Sequence, residues 1–351
     1  MIFLHNTDFP FNEDIPSINK IDIDKIPREL LTDNIKELMF PDLISDSVAY
    51  HHGCSKQDWK PNLADLIIFV LEHNIYTIII FFTYKNYRII NLEGINWKDM
   101  YEIPREWDPV NKYAVGYSVS IMQSLEYTLD FLPDNLPYQM FITDKQSFNI
   151  SKNVDTTRCN EIIKSKGLKI YAHSPYVFNL ANPGLGEKIR KYLIFATAVG
   201  VKGVVFHVGS QTNKTLEESL LHMKENILYA MNSNLCPIIL EISAGDGTKV
   251  LTNYKHFVNF FHEIYLERPN FSICIDSCHA YSCGYDPYQY FKYCLENGCK
   301  IGLIHYNDSK FGFDSRKDRH APIGMGKINW LSLERVASLA YQLDIDCIIE
   351  Y

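Results

Sequence analysis

The sequence predicts an α/β fold, a (β/α)8 TIM barrel preceded by a small accessory N-terminal domain. The chain has 351 residues, short apolar runs alternate with amphipathic stretches from residue 113 onward, and there are eight such runs. Alternating strands and helices favour a parallel sheet, and eight repeats close a barrel of about 250 residues. We therefore assign residues 111–351 to the barrel and residues 1–110 to the accessory domain.

The eight apolar runs are the predicted barrel strands. They lie at 113–120, 138–143, 168–173, 203–207, 237–241, 271–276, 301–305 and 346–350. The amphipathic segments between them have the spacing of helices that bury one face. The clearest predicted helices are 185–199, 215–232 and 254–266.

The N-terminal segment carries polar stretches punctuated by Asp and Pro, and no motif that indicates chemistry. We expect a helix near 25–39 and an apolar helix or strand near 63–73. The runs 75–84 and 87–91 predict a hairpin. We interpret 103–109, which contains two prolines, as a linker.

Composition is that of an ordinary globular protein, with 46% hydrophobic and 22% charged residues. The net charge is −8, which disfavours binding of nucleic acid by overall charge alone. Any nucleic-acid ligand would have to be attracted by local basic groups and bound cations.

Cysteine usage and apolar run lengths indicate an intracellular protein in the cytoplasm or nucleus, or a virus-encoded one, that is not secreted. The nine cysteines form no CxxC pair, which favours reduced thiols. Cys274, Cys278 and Cys283 are close enough in sequence to raise a weaker metal hypothesis. The sequence has no signal-peptide pattern and no apolar run near the roughly 20 residues of a membrane helix.

The last six predicted strands each end on a metal-binding residue type. These residues are His173, His207, Glu241, Asp276, His305 and Glu350. The first four are 34, 34 and 35 residues apart, about the length of one βα unit. The carboxyl ends of barrel strands all point to one face, so the side chains are expected to converge. Carboxylates gathered without cations repel one another, so the convergence favours a metal site.

Further candidate ligands lie just past the strand ends, at His279, Asp318 and His320. A mixture of imidazole and carboxylate favours zinc, with manganese second, over magnesium or calcium. Nine ligands exceed the four of one tetrahedral zinc, so the sequence predicts a cluster of two or three ions. Such clusters suit hydrolysis of phosphate esters.

Several motifs in the second part of the chain resemble those of the endonuclease IV family of abasic-site endonucleases, in the family's order over residues 113–351. The motifs are HSPYVFNL at 173–180, FHVGS at 206–210, LEISAGDG at 240–247, CIDSCHAY at 274–281, HYNDSK at 305–310 and SRKDRH at 315–320. The resemblance implies a zinc-dependent hydrolase that cleaves the phosphodiester 5′ to an abasic site in double-stranded DNA, a step of base excision repair.

The resemblance also implies three zinc ions per chain. The implied ligands are His173, His207 and Glu241 for the first ion, Glu241 again with Asp276, His305 and Glu350 for the second, and His279, Asp318 and His320 for the third. By this resemblance, Glu241 and Glu350 are catalytic. A hydroxide shared by the first two ions, oriented by Glu350, would attack the phosphorus, and the third ion would stabilise the leaving oxygen.

DNA contacts are expected beside these ligands. By the resemblance, Tyr176 fills the gap left in the duplex when the abasic nucleotide is flipped out. The basic residues Lys310, Arg316, Lys317 and Arg319 cluster in one loop and are expected to contact phosphates. The N-terminal segment 1–110 is a candidate surface for other repair proteins.

The sequence departs from the family pattern at three places. Ser118 stands where the family has His, and Ser147 stands where it has an Arg that enters the DNA. Tyr351 directly follows Glu350, whereas the family continues with a helix, so we expect Glu350 to be held less firmly than the other ligands. Substrate binding is therefore expected to differ from that in the family.

Two alternatives compete with this interpretation. A divalent-metal sugar isomerase or epimerase uses the same barrel and ligand types, but needs one or two ions and leaves His279, Asp318 and His320 without a role. A non-catalytic DNA-binding or scaffold protein with a decayed site would not be expected to retain all nine ligands.

Overall fold

A computed structural model describes the protein over residues 2–5, 77–83, 86–91, 106–150 and 153–350. The chain divides into two compact units, Met1–Glu102 and Ile103–Tyr351. None of the helices in these described ranges is both long and apolar enough to span a bilayer.

The first unit contains a three-stranded sheet. Strand β1 (Ile2–His5) pairs in parallel with β2 (Thr77–Thr83), which pairs antiparallel with β3 (Asn86–Asn91). The predicted pairing of two strands in this region is confirmed, whereas β1 was not predicted. The segments 25–39 and 63–73 lie outside the described residues. An accessory domain over residues 1–110 stays a prediction.

The second unit is a closed barrel of eight parallel strands, which confirms the predicted fold class. Its strands are β4 (Gly116–Ser118), β5 (Pro137–Met140), β6 (Lys169–His173), β7 (Val204–His207), β8 (Ile238–Glu241), β9 (Ser272–Asp276), β10 (Ile301–His305) and β13 (Cys347–Ile349). Strand β13 closes the barrel by pairing with both β10 and β4. The short strands β11 (Asp308–Ser309) and β12 (His320–Ala321) form an antiparallel pair outside the barrel.

Helices alternate with the strands along the second unit, and the first helix precedes β4. They are α1 (Pro109–Lys112), α2 (Leu125–Phe131), α3 (Thr156–Lys166), α4 (Gly186–Val199), α5 (Leu216–Ala230), α6 (Tyr254–Tyr265), α7 (Ser277–Ser282), α8 (Pro287–Glu296) and α9 (Trp330–Gln342). Their starts follow from local chemistry. At α5, for example, Thr215 accepts the backbone N–H of Glu218 while Glu218 accepts that of Thr215, which satisfies two donors that a helix start leaves open.

One layer of side chains fills the barrel interior beneath its carboxyl-terminal mouth. It consists of Tyr171, Val205, Ile239, Cys274, Leu303 and Ile348, all buried. Each of these residues precedes one of the six strand-end ligand candidates by two positions. Because side chains along a strand alternate in direction with a period of two, the six candidates also point inward, above this layer.

The segment before the first barrel strand packs on the second unit rather than forming a simple linker. Trp107 lies edge-on to Trp330, with ring centroids 5.9 Å apart, and donates to Glu334. The Asp108 side chain caps α1 by accepting the backbone N–H of Asn111. These contacts tie the described part of the predicted linker to α9, and the second compact unit begins at Ile103.

Asp346 stabilises the amino-terminal end of the barrel. Its carboxylate accepts hydrogen bonds from Lys169, Lys202 and Tyr171, at 2.7, 2.7 and 2.8 Å. Burial alone would raise the pKa of Asp346, but these three donors outweigh it and hold the pKa below its usual value of 3.8. The folded state therefore favours the ionised form.

We predict that Asp346→Asn lowers the free energy of unfolding at pH 7 by about 1–2 kcal/mol, since both lysines are partly exposed and screened. A folded-state pKa below the unfolded value stabilises the protein above the unfolded pKa, and this contribution is lost as pH falls through the folded pKa. The difference from wild type should therefore shrink at pH 3. Urea titrations at both pH values, with Asp344→Asn as the exposed control, measure it; an equal difference at both would contradict this account.

Candidate metal centre

The six strand-end candidates meet at the carboxyl-terminal mouth of the barrel. Five are the last residues of their strands, and Glu350 directly follows β13. The register pairs His207 with Glu241, and His305 with Asp276. The structure thus brings together side chains that the sequence predicted to converge.

The first group of ligand atoms belongs to His173, His207 and Glu241, which offer atoms within 4.8 Å of one another. The Oε2 atom of Glu241 lies 3.1 Å from Nδ1 of His207 and 3.7 Å from Nε2 of His173. Two imidazoles and one carboxylate are a donor set typical of zinc.

The second group consists of Glu241, Asp276, His305 and Glu350. Nδ1 of His305 lies 3.0 Å from Oε1 of Glu241 and 3.1 Å from Oε2 of Glu350. The same nitrogen is 3.7 Å from Oδ2 of Asp276. Glu241 therefore turns one carboxylate oxygen to each group, an arrangement that suits a bridging ligand.

The third group consists of His279, Asp318 and His320. Nε2 of His279 lies 3.1 Å from Oδ2 of Asp318, and Nε2 of His320 lies 3.2 Å from Oδ1. Helix α7 begins directly after Asp276, whose Oδ1 caps it by accepting the backbone N–H of His279 at 2.8 Å. The second and third groups are therefore joined by one helix start.

Three of the histidines are oriented in the way that metal ligands usually are. Their Nδ1 atoms face main-chain carbonyl oxygens, which can only accept, so each Nδ1 carries a proton and, in the neutral imidazole, Nε2 keeps a free lone pair. The pairs are His173 with Ser174 at 2.8 Å, His279 with Ile242 at 3.0 Å and His320 with Glu350 at 3.1 Å. In all three, Nε2 faces a carboxylate, and in His279 Nδ1 also lies 3.3 Å from Oε1 of Glu241.

Several buried atoms of these groups make no hydrogen bond to any described residue, although each lies near an oppositely charged group. Within the part of the chain that the structure describes, Oε2 of Glu241 and the Nε2 atoms of His279 and His320 are buried and make no hydrogen bond. A buried polar atom left unsatisfied costs about 1–3 kcal/mol. Lone pairs that converge without protons between them are what a divalent cation would satisfy, so the residues fit a metal.

The carboxylates depend on nearby positive charge. Burial alone would raise the pKa of Glu241, but His207, His305 and His279 outweigh it and hold the pKa well below the usual range. Burial raises the pKa of Asp276 above its usual value. Two fully buried carboxylates in one site are therefore tolerable only with cations or protons around them.

The histidines differ in protonation accordingly. Burial, partly opposed by the charge of Glu241, lowers the pKa of His207 to about 3. Burial would also lower the pKa of His320, but the neighbouring carboxylates of Asp318, Asp276 and Glu350 raise it to about 9. A proton on His320 occupies the position that a cation would take.

Two buried amides hold the ligands in place and were not among the predicted site residues. Gln139 donates to Oε1 of Glu350 at 2.6 Å, and Asn307 donates to Oδ2 of Asp276 at 2.7 Å. Asn307 also accepts the backbone N–H of Glu350 at 2.9 Å. The sequence signal for Gln139 is a polar residue within an apolar strand, and Asn307 lies two residues after His305. Glu350 is thus anchored on both its side chain and its backbone.

Seven of the nine ligand candidates line a cavity of about 780 Å³, whereas Asp276 and His305 do not line it. Of the predicted DNA contacts, Tyr176, Lys310 and Arg319 line it, and Tyr176 is 56% exposed. Ser118, the first departure from the family pattern, lines it as well. Lys145 adds a cationic group that was not predicted, from the loop after β5.

Arg316 is placed differently from the other predicted contacts. It does not line this cavity, and its guanidinium lies 2.8 Å from Asp314 and donates to the sulfur of Cys283. The geometry therefore does not favour a DNA contact by Arg316. Lys317 lies over the ring of Phe311, 4.4 Å from its centroid.

Cysteines contribute little to this centre. Of the three raised as a metal hypothesis, only Cys278 shares a group of ligand atoms, with Asp276 and His320. Burial raises the pKa of the Cys278 thiol to about 11, which disfavours the thiolate that binds metals. Cys274 belongs to the barrel interior. The described cysteines are buried and form no disulfide.

Asp308 organises the loop that carries Asp318 and His320. Its Oδ1 accepts backbone N–H groups of Ser309 and Ile328, at 2.7 and 3.0 Å. Its Oδ2 accepts those of Gly324 and Gly326, at 3.1 and 2.9 Å. One buried carboxylate thus fixes both ends of the loop 309–328, and with it part of the third ligand group.

We predict that Asp308→Ala loosens this loop and lowers the free energy of unfolding by about 3 kcal/mol, because four backbone donors lose their acceptor. Hydrogen exchange should speed up in residues 309–328 and stay slow in the barrel strands. Asp314→Asn, in the same loop, is the matched control. Unchanged exchange in the Ala variant would show that Asp308 does not hold the loop.

The closed parallel barrel and the His-carboxylate groups at its mouth define a class of TIM-barrel proteins with a candidate metal-binding site at the strand ends. The model of the family described as "Xylose isomerase-like TIM barrel" matches residues 138–350. The chain belongs to that family.

Curated relatives narrow the comparison. A "Probable endonuclease 4" from Mesomycoplasma hyopneumoniae is 30% identical over 181 residues, covering 48% of this chain and 63% of its own. One from Pediococcus pentosaceus is 30% identical over 196 residues, covering 52% and 66%. One from Staphylococcus aureus is 28% identical over 214 residues, covering 57% and 72%. The match thus spans less than two thirds of the first two relatives.

Solved structures share the fold. Endonuclease IV from Thermus thermophilus superposes with a TM-score of 0.57 at 23% identity, covering 68% of this chain and 92% of that one. A D-tagatose 3-epimerase-like protein superposes with a TM-score of 0.51 at 17% identity, covering 67% and 90%. At these identities the likeness is one of fold, which the endonuclease and the epimerase-like protein share.

Proposed function

We propose that this protein is a zinc-dependent abasic-site endonuclease that hydrolyses the phosphodiester 5′ to the abasic sugar in double-stranded DNA. The observation that carries the proposal is the presence of three adjacent ligand groups, two of which share Glu241. The likeness to proteins named "Probable endonuclease 4" supports the same reaction.

The three groups of ligand atoms would hold three zinc ions, with Glu241 between the first two. When bound, such ions polarise phosphate oxygens and make a hydroxide nucleophile available at neutral pH. Glu350, whose side chain is 18% exposed and lines the cavity, would orient the attacking water. Gln139 and Asn307 hold that carboxylate in place.

Substrate binding is proposed to rest on local rather than overall charge. Lys310 and Arg319 are exposed and line the cavity beside the ligands, where they would contact phosphates. Lys145 lines the same cavity from the loop after β5. Its positive charge would partly compensate for the missing arginine at position 147, where this chain has Ser147. These cations counter the net charge of −8 at the point of contact.

Tyr176 would stabilise the distorted duplex. Its ring packs against Phe141, with centroids 5.2 Å apart, and more than half of the residue stays exposed beside the cavity. An abasic nucleotide costs less to flip out because it has no base to unstack. An aromatic side chain at the mouth is suited to occupy the vacated space in the helix.

We predict that the purified protein, without added magnesium, nicks a duplex oligonucleotide on the 5′ side of a single abasic analogue. Glu241→Gln should lower the rate at least about a hundredfold, because loss of one ligand charge weakens two ligand groups. Glu263→Gln, an exposed carboxylate paired with Lys224, is the matched control and should cut at the wild-type rate. Gel electrophoresis of end-labelled strands measures cleavage.

The same assay separates the proposal from its rival. An intact duplex, together with isomerisation or epimerisation of a ketose or aldose by the same preparation, would identify a sugar isomerase or epimerase. Wild-type nicking by Glu241→Gln would refute the bridging role of Glu241.

We also predict that Arg319→Ala weakens DNA binding and reduces the slope of log affinity against log salt by about one, as expected when one phosphate contact is lost. Arg158→Ala, an exposed arginine on α3, is the control and should leave the slope unchanged. Fluorescence anisotropy with an abasic duplex at several salt concentrations measures both. An unchanged slope for Arg319→Ala would exclude the contact.

A further inference from the structure

Gln139 is a buried polar residue whose side chain reaches across the mouth of the barrel. It lies on β5 and is 1% exposed. Its Nε2 donates to Oε1 of Glu350 at 2.6 Å, and its Oε1 lies 2.9 Å from Nε2 of His305. One amide therefore connects two members of the second ligand group.

The barrel order explains how this contact is made. Strand β4 lies between β5 and β13, so the side chain of Gln139 must pass β4 to reach Glu350. The β4 residue in register with Gln139 is Ser118, whose side chain is short. A small residue at this position is compatible with an amide that spans the neighbouring strand.

The chemistry of the partners fixes the orientation of the amide. An ionised carboxylate can only accept hydrogen bonds, so the amide NH2 of Gln139 must face Glu350. A flipped amide would place two acceptor oxygens against each other at 2.6 Å. The carbonyl oxygen of Gln139 consequently faces His305, and Nε2 of His305 must carry a proton.

This orientation determines which nitrogen of His305 can bind a metal. In the neutral imidazole that binds metals, a proton on Nε2 leaves the lone pair on Nδ1, which lies 3.0 Å from Oε1 of Glu241 and 3.1 Å from Oε2 of Glu350. His173, His279 and His320 are fixed by main-chain carbonyl oxygens and present Nε2 instead. Among these four histidines, His305 differs in having its proton on Nε2, and the group that holds this tautomer is the side chain of Gln139.

We infer that Gln139 is a positioning residue of the metal centre, which sets His305 as an Nδ1 ligand and holds the carboxylate of Glu350 toward the second ligand group. The inference rests on the proposed function in requiring that this group binds zinc. Gln139 is not one of the nine ligand candidates, so this positioning role goes beyond the proposed ligands. Its effect is on metal affinity and coordination, and it touches neither the ions nor the substrate.

The test uses Gln139→Leu, which keeps the approximate volume and removes both hydrogen bonds. Stripped full-length protein is titrated with zinc against a chromophoric chelator. Loss of a residue that orients metal ligands typically weakens binding about 10- to 100-fold, and we expect a loss in this range for one of the ions. Cobalt substitution should give a changed visible absorption spectrum, which a purely structural defect far from the ligands would not produce.

Two further variants keep the test decisive. Gln139→Met, unbranched like glutamine, should show the same loss of zinc affinity if Gln139→Leu fails to fold. Tyr171→Phe removes a buried hydrogen bond to Asp346 at the other end of the barrel. It should lower the midpoint of thermal unfolding while leaving zinc affinity and the cobalt spectrum unchanged.

The outcomes distinguish this inference from the proposed function. Wild-type zinc affinity and cobalt spectrum in Gln139→Leu and Gln139→Met would overturn the role of Gln139, whether or not the protein cleaves DNA. Wild-type protein that binds zinc but leaves the abasic duplex intact would refute the proposed function and leave the role of Gln139 supported by the affinity loss. Wild-type protein that binds no zinc would overturn both.

Discussion

The mutual repulsion of four carboxylates at one end of the barrel is the constraint on which the site depends. Glu241 and Asp276 are completely buried, and Asp318 and Glu350 lie beside them. Anions brought this close in a region poor in water must be offset by cations. The histidines around these carboxylates, most of them with one ring nitrogen tied to a carbonyl oxygen and the other turned to a carboxylate, form an arrangement that bound metal ions would complete.

The fold and the convergence of the ligands could be predicted because both follow from a local period. Side chains alternate in direction along a strand, so residues two apart lie on the same side. This alternation places both the six buried residues of the apolar layer and the six ligand candidates above them in the barrel interior. Parallel closure then brings the strand ends together. The predicted strands 168–173 and 301–305 differ from the observed ones by at most one residue.

Other features depend on contacts that no local pattern encodes. Gln139 has no signal beyond being polar in a buried strand, because its partners are far away in sequence on β10 and after β13. Arg316 and Arg319 lie in the same loop and look alike in the sequence. In the structure Arg316 pairs with Asp314, whereas Arg319 lines the cavity beside the ligands. The hydrogen bonds of Gln139 and Asn307 to Glu350 were not predicted for the same reason, and the expectation that Glu350 is held less firmly than the other ligands stays a prediction.

A count of metal ions per chain tests the central claim most directly. Native mass spectrometry of the full-length protein, combined with elemental analysis of the same sample, gives both the number and the identity of the ions. The account predicts close to three zinc ions, one for each group of ligand atoms. A stoichiometry of one ion or none, after purification without chelators and with zinc in the growth medium, would contradict it.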